Sequence, residues 1–183
     1  MVSTRGFSLI EVLVALLVLA VGVLGILVLQ LNSLRASRDV ALQATALRLA
    51  SDIAEQVSGS TGSTETLQAF ARFDFTATSA APKTGINCFG IDKFCTPTQM
   101  VDFAMRQWQQ RIQQALPGGR VRICRDASPW QAATKTLRWD CDTTTDDALT
   151  PLWIKVGWRG SQRSVTAASS VPQLAIPVAA FSH

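Results

Sequence analysis

An unbroken apolar run, from Val12 to Leu29, constrains this chain more than any other feature. A helix needs about 20 apolar residues to cross a bilayer, so the run has the length of a membrane-spanning helix. Glu11 lies immediately before the run. A carboxylate at the edge of a lipid-facing segment is costly without a partner, which makes Glu11 a candidate functional residue. The sequence therefore predicts one membrane helix with an acidic group at its start.

Two ordinary kinds of targeting segment also combine a basic residue with an apolar run. A cleaved secretory signal peptide has a shorter apolar run with a small-residue cleavage site after it, whereas here a helical pattern continues through Gln30–Arg35. An uncleaved signal anchor explains Arg5 as a positive-inside residue and the apolar run as the span. It does not explain why Gly6 and Phe7 are followed by Glu11.

The stretch from Gly6 to Leu16 reads Gly-Phe-Ser-Leu-Ile-Glu-Val-Leu-Val-Ala-Leu. It resembles the class III signal of type IV prepilins. The resemblance implies that a dedicated prepilin peptidase cuts between Gly6 and Phe7, and that Phe7 is then N-methylated. It also implies that Glu11, four residues beyond the new N-terminus, acts in assembly.

The physical setting of Glu11 supports an assembly role independently. A bare carboxylate in hydrocarbon costs several kcal/mol, and the new α-amino group on Phe7 would be cationic. We therefore expect Glu11 to pair with the Phe7 amine of a neighbouring subunit once the helices bundle. Such a pair sets the axial stagger between subunits, which is the best-attested use of buried polar groups.

The chain is predicted to divide into a leader, an anchor and a head. Residues 1–6 form the prepilin leader, residues 7–31 the transmembrane and pilus-core half of a long helix, and residues 32–183 a periplasmic head that includes the second half of that helix. An apolar stripe at spacings near three and four continues the helix beyond the membrane. Its members are Leu31, Leu34, Leu42, Ala46, Leu49, Ile53 and Val57. The helix, from Phe7 to Val57, is about 75 Å long and ends at Gly59-Ser60-Thr61-Gly62-Ser63.

A second helix is predicted from its N-terminal residues. Thr96 is the expected N-cap, Pro97 occupies the first helical position and Gln99 the capping-box position. Apolar side chains then recur on one face until Pro117-Gly118-Gly119 ends the helix. These apolar positions are Val101, Ala104, Met105, Trp108, Ile112, Ala115 and Leu116.

Residues 59–95, between the two helices, are rich in Thr, Ser, Ala and Gly, a composition typical of loops. They predict an irregular connection with one short helix around Thr66–Phe73. Phe70, Phe73 and Phe75 are the candidates for burial in this stretch.

Alternating apolar and polar residues predict strands in the last third of the chain. The runs are 120–124, 137–141 and 152–158, with a weaker one at Ser164–Ala168. Turns between them favour an antiparallel meander. The predicted fold class is therefore α+β and pilin-like: a long N-terminal helix packed on a small antiparallel sheet, with a second short helix.

Four cysteines, all downstream of the apolar run, indicate the compartment of the head. They are Cys88, Cys95, Cys124 and Cys141. No pair has Cys-x-x-Cys spacing and the sole histidine is His183, so no zinc site is predicted. An even number beyond a membrane segment predicts disulfides in an oxidising space, here the bacterial periplasm.

Three disulfide connectivities are possible, and we favour the local bridges 88–95 and 124–141 because each closes a short loop. A tight hairpin around Ser128-Pro129 would not place Cys124 opposite Cys141. The second bridge therefore requires shorter strands with a longer loop, or a link to a flanking segment.

No constellation typical of an enzyme is present, since the sequence has no internal histidine, no Gly-rich phosphate loop and no nucleophile elbow. We predict a chain that is not an enzyme and needs no cofactor or metal. Asp140, Asp142, Asp146 and Asp147 offer oxygen ligands for Ca²⁺, but the EF-hand Gly and terminal Glu are missing. A solvated loop is the expected state of this acidic cluster.

Basic and aromatic residues of the predicted sheet have a functional and a structural interpretation. Arg120, Arg122, Arg125 and Arg138 form a candidate patch for DNA phosphates or acidic partners. A solvated strand face is the favoured interpretation, so no specific nucleic acid is expected. The tryptophans of this region are expected in the core rather than on a ligand platform. They are Trp130, Trp139, Trp153 and Trp158.

The segment from Trp108 through Leu116-Pro117-Gly118-Gly119, together with the cysteine pattern, resembles the PilV-type minor pilins, or type IV pilus modification proteins. The resemblance implies a structural subunit that primes type IV pilus assembly and lies at or near the tip of the fimbrium. Its implied partners are the prepilin peptidase, the inner-membrane assembly platform, other minor pilins, the major pilin and a tip adhesin.

The same resemblance implies a location and a set of consequences. The protein is expected as a single-pass inner-membrane protein with its head in the periplasm, and later at the pilus tip on the cell surface. Pilus biogenesis, twitching motility and cell adhesion would depend on it. Two alternatives remain open: a minor pseudopilin of a type II secretion system, which shares the N-terminal pattern, and a DNA-uptake pilin. The four-cysteine head and the Leu-Pro-Gly segment favour the pilus.

Overall fold

The computed structural model describes residues 8–60, 64–78, 85, 87–90, 94–142, 150–160 and 171–178. The chain divides into two compact units, Met1–Val40 and Ala41–His183. Several sequence predictions lie outside the described residues. They are the leader 1–6, Phe7, the Thr61–Ser63 part of the helix stop, Asp146, Asp147, the weak strand Ser164–Ala168 and His183.

The first helix, α1, runs from Leu9 to Gly59, close to the predicted 7–57. The Ser8 carbonyl opens it by accepting hydrogen bonds from the backbone N–H groups of Glu11 at 3.0 Å and Val12 at 3.3 Å. Leu, Val and Ala dominate the apolar run of this helix. The run is helical throughout, as expected for a segment long enough to cross a bilayer.

Within the unit Ala41–His183, the last turns of α1 supply one face of the core. Ala46, Leu49, Ala50, Ile53 and Val57 are buried, at the three-and-four spacing that places side chains on one side of a helix. The apolar stripe predicted for this part of α1 is therefore confirmed.

The connection between the long helices is more ordered than its composition predicts. Helix α2 covers Thr64–Phe70, and strand β1 covers Asp74–Thr76. The short helix was predicted about two residues too late, and β1 was missed because a three-residue strand is too short to show alternation. Three aromatic side chains hold this segment to the core, as predicted. They are Phe70, Phe73 and Phe75, with 2%, 4% and 6% of their surface exposed.

Helix α3 covers Pro97–Ala115 and begins as predicted. The Gln99 N–H donates to Thr96 Oγ1 at 3.3 Å, and the Thr96 N–H donates to Gln99 Oε1 at 2.9 Å, which completes a capping box. The helix stops at Leu116 in extended conformation, followed by Gly118 at φ +57°, a conformation that glycine adopts readily.

Four strands form one antiparallel sheet in the order β1-β2-β5-β6. Strand β2 is Arg120–Arg125, β5 is Leu152–Gly157 and β6 is Leu174–Pro177. Strands β3, Trp130–Gln131, and β4, Thr136–Leu137, form a separate hairpin between β2 and β5. The sheet is thus a meander interrupted by a two-stranded excursion.

One strand prediction needs correction, and one strand was not predicted. The run 137–141 is wrong as a strand, since β4 ends at Leu137 and residues 138–142 are irregular. Their alternation comes instead from Trp139 packing inward and Cys141 forming a bridge. Strand β6 was not predicted because it is short and ends in Pro177, which is tolerated at a sheet edge.

The core of this unit lies between the helices and one face of the sheet. Val121 pairs with Val156 and Ile123 with Ile154 across β2 and β5, and all four are fully buried. Trp108 of α3 lies among them in the same cluster, edge-on to Phe73 at 5.7 Å. Its indole Nε1 donates to Gln56 Oε1 of α1 at 2.9 Å. A long N-terminal helix packed on a small antiparallel sheet, with short helices, is the predicted α+β pilin-like fold.

Candidate functional site

Glu11 lies in the first turn of α1, where the helix dipole favours a negative charge. Its side chain is exposed. Among the described residues, no basic group lies within 4.0 Å of its carboxylate, and the next charged residue along the sequence is Arg35. An acid in this position needs a cation from outside the described part of the chain once the helix enters an apolar phase.

The helix surface beyond Glu11 is apolar on all sides. Every large apolar side chain from Leu9 to Leu34 is exposed, from 48% at Val12 to 78% at Leu9. Within the described residues, α1 is the one helix long and apolar enough to cross a membrane. No described residue between 8 and 40 covers this surface, so it needs lipid or other apolar helices around it.

The two residues of the predicted cleavage site, Gly6 and Phe7, lie outside the described residues. Their roles therefore rest on the sequence. The spacing of Phe7 and Glu11 is likewise known only as four positions along the sequence.

The head contains two disulfides. Cys88 is bonded to Cys95 and Cys124 to Cys141, with Cα atoms 5.8 Å and 6.2 Å apart. These are the local bridges that the spacing favoured. The hairpin problem is resolved because β4 is short and Cys141 lies in the irregular segment after it, so the bridge links β2 to a flanking segment.

A buried ion pair lies next to the second bridge, and sequence reasoning missed it. Lys155 Nζ donates to Asp126 Oδ2 at 2.5 Å and to the Asp140 carbonyl at 2.8 Å, and both charged side chains are fully buried. Asp126 Oδ1 also accepts from the Ser128 N–H at 2.9 Å and from Arg138 Nη2 at 3.2 Å. The only sequence signal was a lysine inside the apolar run Leu152–Gly157.

The ionisation of this pair follows from its surroundings. Burial opposes the charge on Asp126, but hydrogen bonds from Lys155 and Ser128 outweigh it and hold the pKa of Asp126 below its ordinary value. Burial lowers the pKa of Lys155, and the contact with Asp126 offsets part of this effect. We interpret the pair as charged at neutral pH, since a charged pair with this many hydrogen bonds is compensated.

The arginines of the candidate basic patch are engaged within the head. Arg120 donates two hydrogen bonds to Asp74, at 3.0 and 2.7 Å, and its guanidinium lies 4.5 Å from the centre of the Trp139 ring. Arg125 donates to the Thr150 carbonyl at 2.7 Å, and Arg138 pairs with Asp126. A surface that binds phosphates would have to compete with these contacts.

The acidic cluster and the tryptophans are the remaining candidates from the sequence. Asp140 and Asp142 are the described members of the acidic cluster, and the described residues contain no group of three potential metal ligands. Trp139 and Trp158 are buried as predicted, whereas Trp130 is 52% exposed, so its prediction as a core residue was wrong.

An apolar cavity of about 520 Å³ opens where α2 and α3 meet the end of α1. Its lining residues are Gln56, Ser60, Thr66, Phe70, Pro97, Met100, Val101 and Ala104. None of these described lining residues carries an acidic or basic side chain.

Comparison with known protein families matches residues 1–27 to the family described as the prokaryotic N-terminal methylation motif. The match includes Gly6, Phe7 and Glu11 and reaches well into the apolar run. Comparison with curated proteins and with solved structures gave no significant match.

The methylation motif, the apolar helix and the α+β head together support a type IV pilin or pseudopilin. Proteins of this class are structural rather than catalytic. The motif implies processing by a prepilin peptidase and assembly into pilus-type machinery, and the apolar helix agrees with a membrane anchor.

Proposed function

We propose that the chain is a minor pilin of the PilV type, a structural subunit that primes type IV pilus assembly and lies at or near the pilus tip. The observation that carries the proposal is the methylation motif at residues 1–27 at the start of an exposed apolar helix. Such a helix is stable only in lipid or in a bundle of similar helices. A pilin uses both environments in turn.

Maturation begins at the junction between Gly6 and Phe7. The prepilin peptidase removes residues 1–6 and the new Phe7 amine is methylated. Glu11 then pairs with the Phe7 amine of an adjacent subunit, most simply another minor pilin. The carboxylate has no basic neighbour among the described residues, so this pair compensates a charge that would otherwise be unpaired in an apolar environment.

Assembly transfers the apolar helix from the membrane to the helical bundle of the pilus. The pairing of Glu11 fixes the register, and helix packing supplies the contact area. The inner-membrane platform moves the subunits, with ATP hydrolysed by a separate cytoplasmic motor. The head, residues 32–183, takes no part in catalysis and supports the display of a tip adhesin.

Support for a pilus subunit over a pseudopilin comes from the head. Both local disulfides are present, and α3 carries Trp108 and ends at Leu116-Pro117-Gly118-Gly119. These are the features that resemble PilV-type minor pilins. The engagement of Arg120, Arg125 and Arg138 within the head disfavours DNA uptake.

The test is deletion of this chain in its native host, with complementation by the wild-type protein. We expect few or no surface pili and loss of twitching, while the secretion of folded exoproteins continues. Loss of exoprotein secretion with normal piliation would instead identify a minor pseudopilin. Normal piliation, twitching and secretion would contradict both assignments.

A separate measurement addresses the DNA-uptake alternative. The full chain, in detergent, is passed over immobilised double-stranded DNA at moderate salt. We expect it in the flow-through, because its sheet arginines already have partners. Retention that is lost at high salt would show phosphate binding and favour the DNA-uptake pilin.

A further inference from the structure

The Cys124–Cys141 bridge fastens a short segment over the buried ion pair of the head. We name residues 139–142 the strap. The Asp140 carbonyl accepts from Lys155 Nζ at 2.8 Å, and the Asp142 N–H lies 3.5 Å from Asp126 Oδ1. The strap therefore supplies hydrogen-bond partners to both charges and helps to exclude water from them.

The bridge itself lies against the same charges. Lys155 Nζ is 3.8 Å from Cys141 Sγ, and Cys124 belongs to β2, the strand that pairs with the lysine's own strand, β5. Trp139 anchors the start of the strap, with 8% of its surface exposed. All four strap residues thus contact the buried pair or hold the strap in place.

The Cys88–Cys95 bridge has a different setting. The described large side chains of its loop are mostly exposed: Phe94 is 96% exposed, and Phe89 is 65% exposed with its ring edge-on to Phe103 at 4.9 Å. Cys88 Sγ lies 3.9 Å from the Gln99 carbonyl, a weak contact. Its described residues supply no partner to Asp126 or Lys155, so this bridge provides an internal control for the second one.

We propose that the Cys124–Cys141 bridge is an oxidation-dependent lock that completes the head by holding the strap on the buried Asp126–Lys155 pair. Without the bridge, the strap can leave, and two charges lose partners that burial makes necessary. A partly satisfied buried network is less stable than either a complete one or an apolar substitute. The lock follows from the head alone and does not depend on the proposed pilus function.

The redox chemistry of the lock is simple. Forming the bridge removes two protons and two electrons from the thiols of Cys124 and Cys141. They pass to a disulfide of a thiol oxidant, which becomes a dithiol. A reducing dithiol reverses the reaction. The head therefore reaches its complete fold only in an oxidising compartment, and a thiol-reducing one leaves the ion pair uncovered.

Loop closure alone makes a much weaker prediction than the lock. The two bridges span sequence separations of 17 and 7 residues. In the chain-entropy description, this difference changes the unfolding equilibrium constant by roughly fourfold. If the strap also completes the ion pair, removing the longer bridge changes the unfolding equilibrium constant by a further factor of roughly 10 to 100. This is the range for leaving buried polar groups without partners.

The experiment is urea unfolding of the full chain in mild detergent, in matched pairs of variants. One pair is Cys124→Ser with Cys141→Ser against Cys88→Ser with Cys95→Ser. The other repeats both in a background with Asp126→Asn and Lys155→Met, which removes the charges. In the native background, we expect deletion of the longer bridge to change the unfolding equilibrium constant by much more than fourfold relative to deletion of the shorter one. In the neutral background, we expect the two deletions to differ by only about fourfold.

Two results would overturn the lock. One is a difference of only about fourfold between the two bridge deletions in the native background. The other is an excess that persists unchanged after the charges are removed, since the bridge would then act without the ion pair.

If the double serine variant fails to fold, hydrogen exchange keeps the proposal testable. The chain with Cys88→Ser and Cys95→Ser retains only the Cys124–Cys141 bridge. On reduction with dithiothreitol, we expect faster exchange at the amides of Asp142 and Ser128, before any change in the α1 residues 46–57. Unchanged exchange at Asp142 after verified reduction, or simultaneous loss of protection throughout the head, would contradict a local lock.

Discussion

The two halves of α1 differ in almost everything except their secondary structure. From Leu9 to Leu34 every large apolar side chain is exposed, whereas between Ala41 and Gly59 the helix buries Ala46, Leu49, Ala50, Ile53 and Val57. The second half belongs to a head that has its own core. The first half is complete only with lipid or other helices around it, which agrees with a membrane anchor.

Their acids differ in the same way. Glu11 has no basic group within 4.0 Å among the described residues, while Asp126 of the head accepts from Lys155, Ser128 and Arg138. A buried acid with a complete set of partners stabilises the fold that contains it. An acid at the edge of an apolar helix, with no partner among the described residues, requires one from outside them.

The largest effect is expected at the predicted cleavage site in the first region. Replacing Gly6 with Leu should abolish removal of residues 1–6, because the prepilin-type site needs a small residue there. Intact-mass analysis should find a chain that still carries the leader, whereas the wild type begins at Phe7 with one added methyl group.

Gly25→Ala is the matched control for this change. An added Cβ at Gly25 meets no atom within 4 Å, so this variant should be processed normally. A Gly6→Leu chain that begins at Phe7 would show that the resemblance at this junction is misleading.

Removing the central aromatic residue should affect the head and leave the anchor unchanged. Trp108 is fully buried, and Trp108→Ala should lower the free energy of unfolding by about 3–5 kcal/mol through the cavity it creates. It also removes the donor to Gln56. Urea unfolding measures the loss, and membrane fractionation should show normal insertion.

Trp130→Ala provides the comparison for Trp108→Ala. Trp130 is 52% exposed, so its loss should change stability by about 1 kcal/mol or less. Equal effects of the two substitutions would contradict the placement of the core.

The buried pair predicts a pH dependence of the head. Because the folded pKa of Asp126 lies below its ordinary value, its contribution is complete above the unfolded pKa of about 3.9 and is lost as the pH falls through the lower folded value. Burial also lowers the pKa of Lys155, and the comparison chain lacks both groups, so the measurement reports the pair as a unit. Unfolding at pH 5 and pH 3, about a unit on either side of the unfolded value, should show a larger loss for the wild type than for the chain with Asp126→Asn and Lys155→Met. Equal losses would show that other carboxylates account for the acid sensitivity.

The smallest effect is expected at the N-cap of α3. Thr96→Ala removes the side-chain oxygen that accepts from the Gln99 N–H, and should cost about 1 kcal/mol. Thr98→Ala, an exposed position within the first turn, should cost less. The difference in urea midpoint between the two variants measures the cap, and no difference would mean that the capping box contributes nothing to stability.

The sequence predicted what local patterns determine. The length of α1, its buried face, the capping box at Thr96 and the strands β2 and β5 depend on spacings visible over a few residues. The burial of Phe70, Phe73 and Phe75 was also predictable from residue type.

The parts that could not be predicted depend on contacts between distant residues. Strands β1 and β6 are three and four residues long and exist because β2 and β5 offer edges to pair with. Lys155 alternates as an outward residue of β5, but the strap covers that face. Asp126 is 29 positions away along the chain, so no local pattern connects the two. Glu11 could be proposed from the sequence because its setting is local, and its role stays a prediction, whereas no local pattern indicated the pair in the head.

The central claim is that the first half of α1 joins this chain to others through Glu11, and mass spectrometry of sheared surface pili tests it most directly. We predict that wild-type pili contain this chain with a methylated Phe7 at its start. Glu11→Ala should be processed and inserted normally but largely absent from the pili, and Glu55→Ala, an exposed acid in the second half of the same helix, should be incorporated as the wild type. Incorporation of the Glu11→Ala chain at wild-type abundance would contradict the account and show that apolar helix packing suffices.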